Sequence, residues 1–324
     1  MYRRILVSLD GSKVAEQVLP YVRYLAKRLK IPVDLLAVVD VVGMTGSIAA
    51  SQARNLDAFV GENVQHCEAY LEKIGKTLAG IATSSIVMKG KPEEVVIDKA
   101  TDHLDTLIAM ATHGRSGVDR WLLGSVAEKV LRFTTNPLLL VRASKDGKSE
   151  GEKFIKRVIV PLDGSALAEK VLPHVTALAK EIPFETVLLR AYNLRQVIST
   201  FEDYVPDWDL LEAEAMGEAM SYLDGKAREL KGQRLVEVST RASEKEPAQE
   251  IVDLAAEPDS LIAMCTHGRS GLRRWVLGSV AEKVVRHSAS PVLLIPARGA
   301  SALPGEKRAE PIDEMRDALK YSLD

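Results

Sequence analysis

Residues Thr112 to Arg132 read THGRSGVDRWLLGSVAEKVLR, and residues Thr266 to Arg286 read THGRSGLRRWVLGSVAEKVVR. Seventeen of those 21 positions are identical, and the copies begin 154 positions apart. That interval is too long for one unit of a solenoid and suits a small α/β domain, so the repeat implies two whole domains of one fold. A chain of 324 residues divides naturally into two domains of about 150, each large enough for its own core. The expected division is a first domain over 1–142, a polar, Gly-containing linker over 143–153 (ASKDGKSEGEK), a second domain over 154–298 and a tail over 299–324. Within the tail, Ile312, Met315 and Leu319 would share one face of a short helix.

The order of elements recurs as well. Ile5–Leu9 runs into Asp10-Gly11-Ser12, and Val158–Leu162 into Asp163-Gly164-Ser165. A buried strand, a sharp turn and a Ser helix cap explain that order. Helical spacing follows over Lys13–Lys30 and Ala166–Glu181, with Pro20 and Pro173 at matching places. Each proline predicts a kink or a late helix start. Second strands are expected at Val33–Asp40 and Glu185–Tyr192, long helices at roughly 50–80 and 207–231, and third strands at Ser85–Lys89 and Leu235–Arg241. Helices over Glu93–Ala100 and Ala248–Ala255 lead to fourth strands at Thr106–Ala111 and Ser260–Cys265; Pro137–Val141 and Pro291–Ile295 close each half. Alternation of strand and helix five times per half predicts an open five-stranded parallel sheet with helices on both faces, a Rossmann-like α/β fold.

The net charge is −2, so nothing marks the chain for non-specific nucleic-acid or acidic-membrane binding. Cys67 and Cys265 stand at non-equivalent places, which argues against a disulfide framework and for a reducing compartment. No run of 18 apolar residues occurs, and MYRRILVSLDGS reads as strand and turn rather than a signal peptide. A soluble cytoplasmic protein is expected.

The repeated block carries the chemistry. Gly114 precedes Gly124-Ser125 by nine intervening residues, and Gly268 precedes Gly278-Ser279 by nine. Each loop leaves the fourth strand and ends where a helix begins, the edge at which open α/β sheets take ligands. Glycine there permits positive φ and close backbone approach. The helix start offers unpaired amides and a favourable dipole to an anion such as phosphate. A ligand-free alternative is equally concrete: Ser125-x-x-Glu128 and Ser279-x-x-Glu282 both spell a capping box.

With its ILVSLDGS and VIVPLDGS openings and its two THGRSG…LGSVAEKV blocks, the chain resembles a tandem universal stress protein over nearly everything up to Arg298. ATP-binding members carry G-x2-G-x9-G-[ST]; the matching positions are Ala111, Gly114, Gly124 and Ser125, then Cys265, Gly268, Gly278 and Ser279. Ala111 and Cys265 therefore replace the first glycine, and a left-handed backbone there would be costly for either. The resemblance implies ATP as ligand, with Asp10 and Asp163 meeting adenine or ribose and Val38 and Ala191 offering backbone groups to the adenine edge. It implies phosphate contacts from the amides of Gly114, Gly124, Ser125 and Val126 and of Gly268, Gly278, Ser279 and Val280. The hydroxyls of Ser125 and Ser279 would meet a phosphate-bound Mg²⁺. An Asx-turn opening the next helix is the alternative for both aspartates.

Other motifs carry less. Gly147-Lys148-Ser149 ends like a P-loop, but Arg142 stands where its first glycine belongs. His113 and His267 lie beside the loops, as do Arg115, Arg120, Arg269, Arg274, Trp121 and Trp275; His66, His103, His174 and His287 lack metal-ligand spacing. Cys265 is expected to be a buried, inert thiol. No nucleophile, base and orienting group assemble, so fast ATP hydrolysis is not expected. The reading is a nucleotide-responsive regulator in stress response with an unidentified protein partner, its halves pairing through the fifth strands and a homodimer also expected. A nucleotide-free interaction module and an adenylate-handling enzyme remain the alternatives.

Overall fold

The structure is a computed structural model that describes residues 2–41, 56–112, 123–143, 153–192, 207–232, 237–267 and 277–296. The first half runs β1 (Arg4–Ser8), α1 (Leu19–Leu29), β2 (Val33–Val39), α2 (Leu56–Thr77), β3 (Thr83–Lys89), α3 (Pro92–Thr101), β4 (Thr106–Ala111), α4 (Ser125–Phe133) and β5 (Leu138–Val141). The second half repeats it as β6 (Arg157–Pro161), α5 (Leu172–Ala179), β7 (Glu185–Ala191), α6 (Trp208–Gly232), β8 (Val238–Ser243), α7 (Pro247–Ala255), β9 (Ser260–Cys265), α8 (Ser279–His287) and β10 (Val292–Ile295).

The strands exist because aliphatic residues run consecutively and find cover on both faces. β4 and β9 are buried at every position. Along β1, Ile5 and Val7 join one apolar cluster and Leu6 joins the other, as successive side chains of a strand point to opposite faces. Both clusters draw residues from both halves, so each face of the sheet carries one continuous core.

Strand order is β3-β2-β1-β4-β5-β10-β9-β6-β7-β8 in a single ten-stranded sheet. Within each half all pairings are parallel; the join of β5 to β10 is antiparallel. Leu139 pairs with Leu293, Leu140 with Val292 and Leu138 with Leu294. Leu139 and Leu293 are themselves equivalent positions, so the seam has the self-complementary geometry of a two-fold interface inside one chain. Its five leucines, Leu138, Leu139, Leu140, Leu293 and Leu294, are fully or almost fully buried, each contributing roughly 1.5–3 kcal/mol through burial. The five-stranded sheets are therefore not open on this side: each closes the other's edge.

The prolines produce a late start. A 3-10 turn over Ala15–Val18 precedes α1, and Pro20 falls in the first turn of the α-helix, where its missing N–H costs nothing. Ala168–Val171 and Pro173 repeat this before α5. β3 begins two residues earlier than expected because Thr83 and Ser84 pair with Val33 and Asp34. β8 is displaced toward Ser243, pairing Thr186 with Val238 through Ala191 with Ser243. Both are edge strands with much of their side-chain surface exposed; β8 is mostly polar and β3 opens with the polar Thr83-Ser84-Ser85, so no apolar pattern marks where they begin. No helix among the described residues is long and apolar enough to cross a membrane.

Candidate functional site

In each half the chain builds outward from one strand and then crosses to build the other way. The switch lies between β1 and β4 in the first half and between β6 and β9 in the second. Carboxyl ends of strands flanking such a switch leave a crevice. A cleft of about 260 Å³ opens there in the first half, lined by Asp10, Val38, Ala111, Gly124, Ser125 and Val126 among others. Its counterpart in the second half, about 380 Å³, is lined by Asp163, Ala191, Cys265, Gly278, Ser279 and Val280 among others. Gly114 and Gly268 lie outside the described residues, as do His113, Arg115, Arg120, Trp121, Arg269, Arg274, Trp275 and the Gly147-Lys148-Ser149 linker.

Of the two uses that glycine offers, positive φ and close approach, the glycine before each serine makes only the second. Gly124 and Gly278 are the residues capping α4 and α8, and their φ values of −59° and −61° are open to any residue. What Gly278 provides is closeness. Its amide donates to Thr266 O at 2.9 Å, and a Cβ would stand 3.0 Å from that oxygen and 3.5 Å from His267 Cα. Gly124 makes the same bond to Thr112 O at 2.7 Å. Each helix start is thus pulled against the strand exit.

The capping box does not form. A Ser cap would spend its hydroxyl on the amide of Glu128 or Glu282, yet those amides donate to Gly124 O at 2.8 Å and Gly278 O at 2.9 Å. Glu128 and Glu282 turn away to Arg132 and Arg286. No side chain caps either helix. The amides of Ser125, Val126 and Ala127, and of Ser279, Val280 and Ala281, donate to no described group. Six N–H groups at two positive helix ends therefore face the clefts with no acceptor among the described residues.

Asp10 and Asp163 do form the Asx-turns. Ser12 N donates to Asp10 Oδ1 and Ser165 N to Asp163 Oδ1, both at 2.9 Å, while Gly11 and Gly164 take φ of 82° and 85°. Both aspartates still line the clefts, so the turn fixes a carboxylate at the cleft wall rather than removing it. Ala111 and Cys265 end β4 and β9 with ordinary strand backbone; among the described residues only Lys30 and Asp259 are non-glycines at positive φ. The lost glycines therefore impose no strain. Cys265 is buried, its Sγ sits 3.5 Å from Ala168 O, and burial pushes its thiol up to about 12. His267 reaches the Thr266 hydroxyl at 3.1 Å.

Sequence reasoning missed several lining residues. Pro92 and Pro247, which open α3 and α7, roof the clefts at equivalent places, and Ala15 and Ala168 enter from the 3-10 turns. The repeated proline in both halves was the available signal. Among the described residues no cluster of three His, Cys, Asp or Glu side chains could hold a metal.

The universal stress protein family matches the chain twice, at residues 1–142 and 155–296. The chain belongs to that family. A universal stress protein of Mycolicibacterium smegmatis is 22% identical over 91% of this chain and 97% of its own length. One from Methanocaldococcus jannaschii is 30% identical over 45% of this chain and 84% of its own length. The crystal structure of a universal stress protein from Archaeoglobus fulgidus shares the fold, with a TM-score of 0.64 at 20% identity, covering 92% of this chain and 99% of that one. Two family matches in tandem account for the doubled sheet.

Proposed function

We propose that this universal stress protein binds ATP in both clefts and acts as a cytoplasmic, nucleotide-responsive regulator in stress response, with at most slow hydrolysis. The observation that carries the reading is the uncapped start of α4 and of α8, each held at a sheet switch point by a glycine that touches the strand exit. Phosphate oxygens would accept from the amides of Ser125 and Val126 and of Ser279 and Val280, replacing the acceptors these helices lack. Gly114 and Gly268 are assigned the same role from their place in the motif. Asp10 and Asp163 would meet the adenine or ribose, and Val38 and Ala191 the adenine edge. The second cleft is the roomier of the two and carries Ala191 where the first has Val38. Its 380 Å³ falls within the ~300–1,000 Å³ usual for small-molecule sites. Mg²⁺, if carried, would rest on the phosphates and the Ser125 or Ser279 hydroxyl, since no carboxylate cluster is present among the described residues. One solved universal stress protein holds cAMP, which makes cyclic AMP and AMP the comparison ligands.

Isothermal titration with Mg-ATP tests the assignment. Wild type is expected to show two sites, and Ser125→Asp and Ser279→Asp to lose one each. A carboxylate at a helix start is stabilised by the dipole yet repels phosphate, so the fold is retained while the anion is refused. Unchanged stoichiometry in both variants would overturn the site. Gly124→Val and Gly278→Val should act in the same direction, with the added clash at Thr266 O making them the less clean pair.

A further inference from the structure

A third hollow, about 370 Å³, lies away from both switch points, between α1 and the segment that leads into β6. Its walls carry Arg23, Lys27 and Arg28 from α1 and Lys153 from the start of the second half, with Tyr24 and Phe154 between them. Among the described residues no carboxylate lines it. Asp259, whose charge acts on neighbouring Tyr21, is held by Lys156 at 2.8 Å.

The fold uses only part of the capacity of these cations. Arg23 donates Nη2 to Thr77 O at 2.8 Å, while its Nε is buried with no hydrogen-bond partner. The pseudo-equivalent helix α5, aligned by Pro20 and Pro173, carries Thr176, Ala177, Lys180 and Glu181 where α1 carries Arg23, Tyr24, Lys27 and Arg28. Its net charge at those places is zero. Finally, Arg23 and Lys27 stand four apart on one helix face, where like charges oppose the helix. The dipole at the carboxyl end of α1 accounts for Lys27 and Arg28; Arg23 is met in part by Thr77 O, and Lys153 by the Tyr21 ring 5.9 Å from its Nζ. The rings are already ordered: Tyr24 and Phe154 meet edge-on with centroids 5.9 Å apart, and the Arg28 guanidinium lies 5.7 Å from the Tyr24 centroid.

We propose that this hollow is an anion site distinct from the two switch-point clefts, taking a small ligand with two adjacent phosphate groups. Arginine pairs with phosphate through its planar fork and lysine as a point charge, so Arg23 and Arg28 would grip and Lys27 and Lys153 would neutralise. A ligand held by α1 on one side and Lys153 on the other ties the two halves together at the point where the linker enters the second.

The test uses the full chain carrying Ser125→Asp and Ser279→Asp, so that the other helix starts are closed to anions, and inorganic pyrophosphate as the probe. One binding event is expected to persist, to resist an equal ionic strength of sulfate, and to weaken at least roughly tenfold in Lys27→Gln/Arg28→Glu. Both side chains are exposed, so this variant keeps the fold. Absence of any pyrophosphate binding, binding that sulfate erases equally, or binding unchanged by Lys27→Gln/Arg28→Glu overturns the proposal. Should the serine variants fail to fold, pyrophosphate stoichiometry in otherwise wild-type chain must fall by one in Lys27→Gln/Arg28→Glu. Pyrophosphate binding that survives both serine substitutions and is lost with Lys27→Gln/Arg28→Glu separates this site from the clefts.

Discussion

Gly278 shows how one hydrogen atom in place of a methyl decides a local geometry. Because its missing Cβ leaves 3.0 Å to Thr266 O, Gly278→Ala must push the start of α8 off the end of β9. The expected cost is about 1–3 kcal/mol, read as a lowered denaturation midpoint with unchanged m-value. A stability within error of wild type would show that the loop absorbs the methyl without strain. This residue was legible as important and illegible as to why. A glycine beside a serine signals both positive φ and close approach, and only the backbone of Thr266 distinguishes them. Asp10 and Asp163 are similar, since Asp-Gly-Ser specifies the Asx-turn from local chemistry alone. That β1 delivers the same carboxylate to a cleft depends on strand order, which no local pattern records. Cys265 was readable as a buried thiol from its place at the end of an unbroken apolar strand.

At the scale of single elements, the two halves differ in an ion pair that links α7 to β8. Glu250 is fully buried and paired with Arg241 at 2.7 Å and Lys245 at 3.1 Å, while the corresponding places in the first half hold Ile86 and Val95. The cations are half-exposed, so losing the carboxylate returns them to water, whereas losing Arg241 leaves a buried charge short of a partner. Glu250→Val is therefore expected to fall within about 1 kcal/mol of wild type, and Arg241→Ala to cost roughly 1–3 kcal/mol. Urea melts of both variants check the order; equal losses would refute it. Helix α5 contributes a pH dependence. His174 Nδ1 lies 3.0 Å from Tyr2 Oη across the two halves, and burial, with a smaller effect of the chain's amino terminus, lowers His174 to about 4. Above about pH 6.5 the imidazole is neutral whether the chain is folded or not. As pH falls from there toward 4 the unfolded chain takes the proton first, so stability is lost across that window, by at most on the order of 3 kcal/mol. His174→Gln should flatten the difference between melts at pH 7 and pH 4.5; an undiminished difference would place its source elsewhere. Elements covered on both faces, such as β4 and β9, were legible to the residue because apolar runs mark their limits. The edge strands β3 and β8 were not, since half their pairing surface and most of their side chains meet solvent.

For the molecule as a whole, the β5–β10 seam is the decisive contact. It buries equivalent leucines against one another, so the amides of β5 and β10 should exchange with solvent only on global unfolding and rank among the slowest in the chain. Exchange at this seam as fast as in β3 or β8 would mean that the halves open separately. The repeat made two copies of one fold legible, and the fifth strand could be named as a pairing edge. Pairing of the two halves through it was the expectation, and β5 and β10 do pair; a further dimer was not readable, because a second chain offers that edge the same residues. Here the edge is consumed internally, and any homodimer must use another surface.

The reversal of direction at the seam has a further consequence. Strands of the first half run one way along the sheet and those of the second run the other, so the two crevices open at opposite ends of the molecule. A protein docked over one mouth has no view of the other. Any influence of one crevice on the other would cross the leucine seam through hydrogen bonds and packed side chains rather than through covalent bonds.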